Sequence, residues 1–384
     1  MKKKLIIHNG NISIGGQEKM LIEFLKILDP NKYDVLLLIE ENNGKRNDYI
    51  NDIPSWIKYH FLTSEKFMEK LEKNKKSKNP IRKFFYSLLL KRKKIIAINE
   101  LKKYLDFSNI LIDYDMGLIR NLHKLNLKDK ILVGWSHAGE GAPLKSKQKR
   151  ENIEKYNYII TINEVMKQGY EKNTKKPKIK KIYNFMDLEN IILKSKEPLD
   201  KNFGEYIISV GSLTENKNHK LLIESFSELK REKKINEKLI ILGEGKEKEN
   251  LENLIKKENM ENEIFLLGQR KNPYNYIKNS KLYVITSKNE GFSLTSIEAM
   301  ILEKMVIATK TNGTTEILGE NSEYGQLIES NDKIELKKAL FYFLENHEER
   351  KNYEIKGYER AEYFKKENAQ KCIEEFIDKL WKFM

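Results

Sequence analysis

The chain has 384 residues, enough for two domains of ordinary size, and 39% hydrophobic residues with only 19 glycines and 7 prolines exclude a disordered or collagen-like chain. The longest uninterrupted apolar run, Ala339 to Leu344, is far short of the ~20 residues that span a bilayer, and the start MKKKLIIHNG has no cleavable apolar segment, so neither a span nor a secretion signal is expected. A single cysteine, Cys372, excludes an internal disulfide or a cysteine metal cluster and predicts a cytoplasmic location. The net charge of +15 is unevenly shared: residues 1–200 hold 41 Lys and Arg against 25 Asp and Glu, whereas residues 201–384 hold 31 against 32.

In chain order, the first half alternates short apolar runs with helical patterns. Strands are predicted at Leu5 to His8, Asp34 to Ile39, Asn109 to Asp113, Ile131 to Trp135 and Tyr158 to Ile162, with helices starting near Gly16, Ile81 and Asn163. Within this half, Lys73 to Lys94 carries ten basic residues and no acid, with Phe84 to Leu90 forming an aromatic and leucine cluster in its middle. The second half repeats the rhythm, with strands at Tyr206 to Val210, Leu239 to Leu242, Ile264 to Leu267, Leu282 to Ile285 and Val306 to Ala308, and helices at Lys220 to Arg231 and Lys246 to Asn259. Such alternation predicts parallel sheets covered on both faces. The polar segment 194–205, with Pro198 and Gly204, reads as a linker between a first domain over 1–193 and a second over 206–366. Beyond it Ile373, Phe376, Ile377, Leu380, Trp381 and Met384 recur at helical spacing, so a terminal helix over about 367–384 has one apolar face to bury.

The strongest local signal is NEGFSLTSIEAM, Asn289 to Met300, just after a predicted strand. Glu290 stands before a turn at Gly291, a helix opens near Ser293, and Glu298 lies inside it. Free N–H groups of a first helical turn suit a diphosphate, and a carboxylate accepts hydrogen bonds from sugar or ribose hydroxyls; on spacing alone, Ser293 as a simple cap with two solvated glutamates is an equal reading. VGSLTENKNH, Val210 to His219, offers Gly211 for close backbone approach and Lys217 as a phosphate cation or a plain surface lysine. The strand ends at Leu242 and Leu267 bring Gly243, Gly268, Gln269 and Arg270 to where a nucleobase would meet main chain. After the first strand, Gly15 and Gly16 make a double glycine before a helix.

Taken in order, the double glycine, SHAG around His137, IYNFMD, VGSLTENKNH, NEGFSLTSIEAM and TNGTTEIL resemble the retaining nucleotide-sugar glycosyltransferases of family four. The resemblance implies a GT-B fold: two Rossmann-like parallel-sheet domains facing across a cleft, with the terminal helix packing back on the first. It implies that Glu290 holds donor hexose hydroxyls, that Gly291, Phe292, Ser293 and Leu294 present the loop and helix start to hexose and diphosphate, that Glu298 binds the ribose, and that Lys217 neutralises the diphosphate. Gly16, beside Gly15, would close on that diphosphate, and His137 would touch the transferring sugar; alone, His137 reads as well as a buried structural histidine. One departure stands out, since the family's usual arginine beside the lysine is replaced by Ser212, for which Arg270, Lys271 or Lys310 are the substitutes to consider. The donor implied is a uridine diphosphate sugar, transferred with retention and without metal, cofactor or covalent intermediate.

Asp113-Tyr114-Asp115 is a formal D-x-D, but it ends a first-half strand far from the donor motifs. It is read as an acceptor-side wall, with Asp115, Gly139 and Glu140 facing the acceptor rather than a metal. The histidines at 8, 60, 123, 219 and 347 show no metal-ligand spacing, and no nucleophile-elbow pattern is present. The basic stretch predicts contact with an anionic membrane surface through Arg82, Lys83, Phe84, Phe85, Lys91 and Arg92, with an ordinary domain helix as its rival. That placement, peripheral at the cytoplasmic membrane face, suits a saccharide or lipid-linked acceptor in cell-surface polysaccharide assembly, and no nucleic-acid partner is expected. The rival functions are a sugar-nucleotide epimerase on the same scaffold and, third, a basic nucleic-acid binder.

Overall fold

The apolar runs form parallel strands in the computed structural model, which describes residues 2–137 and 146–382. The chain divides into two compact units, Met1–Tyr183 with Gln370–Met384, and Asn184–Ala369. In the first, the order along the chain is β1 (Lys3–Asn9), α1 (Gly16–Ile27), β2 (Tyr33–Ile39), β3 (Lys58–Phe61), α2 (Glu65–Lys75), α3 (Pro80–Lys102), β4 (Ile110–Asp113), β5 (Ile131–Ser136), α4 (Lys147–Ile153), β6 (Tyr158–Thr161), α5 (Glu164–Asn173) and β7 (Lys178–Lys181). The seven strands pair in the order β3-β2-β1-β4-β5-β6-β7, so the order reverses between β1 and β4. There His8 lies level with Leu38 on one side and Asp113 on the other.

The second unit runs α6 (Leu188–Ser195), β8 (Tyr206–Val210), α7 (His219–Arg231), β9 (Lys238–Leu242), α8 (Lys248–Lys257), β10 (Ile264–Leu266), α9 (Tyr274–Lys278), β11 (Leu282–Ile285), α10 (Leu294–Ile301), β12 (Met305–Thr309), α11 (Asn312–Leu318), β13 (Gln326–Ile328), α12 (Lys333–Glu345) and α13 (His347–Glu362). Its parallel sheet has the order β10-β9-β8-β11-β12-β13, reversing between β8 and β11. On one face Leu222, Phe226, Leu336 and Leu340 pack against Leu239, Ile241, Val284 and Ile307 to form a core. The amphipathic register of α7 explains this, since Leu222, Phe226 and Leu229 fall three and four residues apart on one side.

The three strands that hydropathy did not predict, β3, β7 and β13, are all sheet edges. Two of them read KYHF and KIKK, and charged residues on an edge strand suppress pairing with other chains while erasing the apolar signal.

The units divide earlier than the expected linker at 194–205. Residues 188–195 are helical, and the segment is stitched to the second unit: Met186 N–H donates to Phe364 O at 2.8 Å, Asn275 Nδ2 to Pro198 O at 3.0 Å, and the Tyr276 hydroxyl to Asp200 at 2.5 Å. The terminal helix, α14 (Lys366–Trp381), crosses the division at Ala369. Within the first unit Ile373, Phe376, Ile377 and Leu380 are buried, and Lys3 and Lys32 pair with Asp378 and Glu374, each at 2.6 Å. Met384, expected on the same face, lies outside the described residues.

Phe226 is fully buried, so Phe226→Ala should cost ~3 to 5 kcal/mol in urea unfolding of the second unit. A loss under ~1 kcal/mol would contradict this packing.

Candidate active site

In an open parallel sheet, ligands collect beyond the carboxyl ends of the strands where the order reverses. In the second unit that place lies between the loops after β8 and β11. The first loop is Gly211 to Asn218; Asn218, at φ 49°, turns the chain in the left-handed region into α7. The second, Thr286 to Ser293, enters α10. Lys288 N–H donates to Asn216 O at 2.7 Å, Asn216 Nδ2 to Asn289 O at 2.9 Å, and the Thr286 hydroxyl lies 3.0 Å from both Lys217 O and Asn218 O.

Lys217 and Glu290, 73 residues apart in sequence, meet across this junction as an ion pair. The same Glu290 Oε1 accepts from the Ser287 hydroxyl at 2.9 Å, and the Glu290 carbonyl accepts from Gly313 N–H at 2.8 Å. That last bond brings in TNGTTEIL: a capping box between Thr311 and Thr314 starts α11, which leaves Gly313 against the Glu290 loop. A Cβ on Gly313 would stand 2.7 Å from Phe292 N and 2.8 Å from Glu290 O.

Ser293 occupies the N-cap position of α10 but makes no side-chain cap bond; its Oγ instead accepts from Ser296 Oγ at 2.8 Å. The capping reading of Ser293 is therefore corrected, because a hydroxyl held by its neighbour does not reach the helix donors. Gly291 is half-buried, Phe292 packs edge-on against Phe364 at 5.8 Å, and Leu294 opens the helix. One turn on, Glu298 is 5% exposed and accepts from the Tyr274 hydroxyl at 3.3 Å. Beneath both glutamates, buried Tyr283 has its phenol pushed up, first by burial and further by the charges of Glu298 and Glu290.

Glycines close the remaining side. Gly211 N–H donates to Leu242 O and Gly243 N–H to Gly268 O, joining three loops through main chain. A Cβ on Gly243 would stand 1.9 Å from Gly211 O, so no larger residue fits there. Gly268, at φ 74°, turns the chain toward exposed Gln269. Arg270 is drawn to Tyr276 and Asp200, at 3.3 and 3.7 Å, and Lys310 pairs with Glu329 at 2.6 Å, so both substitutes for the missing arginine are otherwise engaged, while Lys271 is exposed. Ser212 follows Gly211 in the same loop as Lys217.

Two features went unread in the sequence. His219, at the start of α7, is buried and held neutral, its pKa lowered to about 4 chiefly by burial and then by the Lys217 charge. Its position two residues after Lys217 was the available signal. In the first unit, His8, Asp113 and Asp115 bring ligand-type atoms within 4.8 Å of one another. Their groups are already engaged: Asp113 accepts from His8 at 3.0 Å, the Tyr156 hydroxyl at 2.6 Å and Leu118 N–H at 3.1 Å, and Asp115 accepts from Gly10 and Gly117 N–H, each at 2.9 Å. Burial alone would lower the His8 pKa, but the Asp113 bond and charge, with Asp115 and Glu40, outweigh it and raise it to about 9. A protonated imidazole pairs with these carboxylates as a cation and donor.

His137 follows β5, its ring tilted against Tyr114 and stacked on Trp135, centroids 4.5 and 6.1 Å away. Burial lowers its pKa to about 3 against a smaller opposing effect of the Tyr114 backbone, and its ring nitrogens have no well-formed hydrogen bond among the described residues. Gly15 caps α1 and Gly16 begins it, with the Glu18 carboxylate turned back toward Gly15. Gly139 and Glu140 lie outside the described residues.

The loops of the second unit fall within a stretch that resembles known proteins. The profile of the glycosyl transferases group 1 family matches residues 191–360. An uncharacterized glycosyltransferase of Methanocaldococcus jannaschii is 32% identical over 295 residues, 70% of each chain. The chain belongs to the group 1 glycosyltransferases. An N-acetylgalactosamine-N,N'-diacetylbacillosaminyl-diphospho-undecaprenol 4-alpha-N-acetylgalactosaminyltransferase of Campylobacter jejuni is 37% identical over 200 residues, 52% of this chain and about half, 53%, of that relative. In fold, this glycosyltransferase matches an Anabaena protein solved in complex with UDP, TM-score 0.73 at 16% identity, over 99% and 100% of the two chains. Its two Rossmann-like units are those of GT-B glycosyltransferases.

The histidines give a pH test. His8 stabilises the fold below pH 6.5, and that contribution fades as pH rises through about 9; His137 and His219 give stability present above 6.5 that is lost as pH falls toward about 3 and 4. Imidazole NMR should show none of the three titrating near 6.5, the ordinary value, and a midpoint there would contradict the burial or pairing assigned to that residue.

Proposed function

We propose that the chain transfers a hexose with retention from a nucleotide diphosphate sugar, a uridine diphosphate sugar in the first instance, to a saccharide or lipid-linked acceptor at the membrane face. The observation carrying this reading is the Lys217–Glu290 pair at the sheet reversal, between glycine loops that admit a ligand to main chain. With a donor bound, Lys217 leaves Glu290 for the diphosphate, Glu290 turns to the hexose hydroxyls, and Glu298 takes the ribose. The acceptor O–H adds to the anomeric carbon on the face from which the phosphate oxygen departs; the C–O bond to phosphate breaks, and the proton passes to that oxygen. No metal or cofactor is required, because the work is placement and stabilisation of developing charge. The names of relatives support the substrates: the Campylobacter protein is named for a diphospho-undecaprenol acceptor, and the Anabaena protein was solved with UDP.

The membrane contact lies on α3. Ile81, Phe84, Phe85, Leu88 and Ile95 are exposed at helical spacing, Phe84 by 63%, forming one apolar stripe flanked by Arg82, Lys83, Lys91 and Arg92. Leu89 is not part of it, because it packs on Met68 and Leu71 of α2. Among the described residues no helix is long and apolar enough to cross a membrane, which leaves α3 to lie in the headgroup plane.

Donor stabilisation comes first: a panel of nucleotide sugars should raise the melting temperature, and the productive one should release nucleoside diphosphate when acceptor is present. Glu290→Ala should lower kcat by ~100-fold and Glu298→Ala should chiefly raise the donor KM. Lys217→Ala should lose ~2 to 3 kcal/mol of transition-state stabilisation, and full activity would move the diphosphate elsewhere.

For the membrane, anionic vesicles should sediment the protein at low salt and release it at ~0.5 M. Replacing Ile81, Phe84 and Phe85 by Ser should abolish sedimentation, and equal binding to neutral lipid would contradict the reading.

A further inference from the structure

The first sheet has its own order reversal, between β1 and β4, and a cavity of about 470 Å³ opens there. Its floor comes from residues just past three strand ends: Asn11 after β1, Glu40 and Glu41 after β2, and Asp115 after β4. Its rim carries Lys94 of α3, Arg120 and Lys149 of α4, none of which has an ion-pair partner among the described residues.

We propose that this cavity binds the acceptor as a glycosyl phosphate, sugar hydroxyls on Asp115, Asn11 and Asn121, and phosphate on Lys94, Arg120 and Lys149. The proposal rests on the second unit being the donor site, since it assigns the other substrate.

The floor and rim differ in what they can still bind. Lys93 is the one cation on the floor, and it is used up: it pairs with Glu40 at 2.9 Å and also with Glu41. The carboxylates and amides there offer acceptors and donors to hydroxyl groups but no free positive charge. The three rim cations are the reverse, point charges without internal partners, suited to phosphate oxygens.

The site is also built. Asp115 is pinned by two backbone N–H groups and lies 3.8 Å from the buried His8 ring, whose other nitrogen has no hydrogen bond and sits 3.9 Å from Glu40. The short helix carrying Arg120 is anchored at its start, Gly117 N–H on Asp115 and Leu118 N–H on Asp113.

The charge pattern connects this cavity to α3, which lines it with Leu90, Lys93 and Lys94. From Phe85, in the exposed stripe, to Lys93 is about 12 Å along the helix at ~1.5 Å per residue. A sugar phosphate carried on a lipid reaches both, whereas a free sugar phosphate needs only the rim.

The test compares three acceptors with a fixed donor: a hexose 1-phosphate, the methyl glycoside of the same hexose, and that hexose linked through diphosphate to a short prenyl chain. Wild type should prefer the two phosphate-bearing acceptors by roughly tenfold or more in KM, as charge-assisted contacts imply. Arg120→Ala with Lys149→Ala should collapse that preference, while Glu298→Ala raises the donor KM and keeps it. A preference that survives the double variant overturns the proposal. A lower KM for the prenyl form than for the hexose 1-phosphate assigns the lipid source, and equal values assign the free sugar phosphate.

Should wild type release no nucleoside diphosphate from any nucleotide sugar, the donor reading fails, and equilibrium dialysis of the hexose 1-phosphate judges the cavity by itself. Binding lost in the Arg120 and Lys149 variant but kept in Glu298→Ala supports it; binding unchanged by the double variant refutes it. Arg120 is exposed and Lys149 half-buried outside the core, and an unchanged melting temperature in the double variant separates lost contacts from lost structure.

Discussion

A parallel strand can be followed by another parallel strand only if the chain crosses back over one face, so every strand in such a sheet ends at the same edge. Where strand order reverses, successive crossovers lie on opposite faces and the loops at that edge splay apart. Both sheets of this protein obey that constraint, with one reversal at β8 and β11 and another at β1 and β4. The rest of the chemistry is a consequence of which residues the sequence puts just past those four strand ends.

At the reversal between β8 and β11 the sequence puts opposite charges on the two loops. Lys217 and Glu290 are partly shielded from water, so their attraction is stronger than that of a surface pair, yet each keeps an exposed edge from which a ligand can recruit it. Pairing keeps either charge from standing alone in a poorly hydrated place. On the proposed donor reading, binding breaks that pair, and the diphosphate and sugar must return equivalent contacts. Gly243 and Gly313 matter for the same reason: each lets backbone approach backbone where a Cβ would collide, which fixes the loops before any ligand arrives. Preorganisation of this kind lowers the free energy of reorganisation during reaction.

Much of this was legible in the sequence because buried parallel strands read as unbroken apolar runs and because Glu290 and Glu298 sit in one continuous motif. The edges were not legible: β3 and β7 are lysine-bearing strands whose pairing is set by neighbours rather than by their own hydropathy. Nor was the division at Tyr183 and Asn184, since the segment following it is polar in composition but fastened to the second unit by hydrogen bonds from α9 and the end of α13. The basic stretch was visible as charge, yet only the helix showed that Leu89 faces inward while Phe84 and Phe85 face out. His8 with Asp113 and Asp115 was hidden for the simplest reason: 105 residues separate partners that parallel pairing sets side by side.

On the proposed donor reading, a nucleoside diphosphate binds at the reversal of the second sheet by parting Lys217 from Glu290. A crystal structure with uridine diphosphate bound decides this. The diphosphate should lie between the Gly211 and Gly291 loops, with Lys217 Nζ on a phosphate oxygen and no longer on Glu290. A diphosphate bound away from the ends of β8 and β11, or one bound there with the Lys217–Glu290 pair intact, would contradict it.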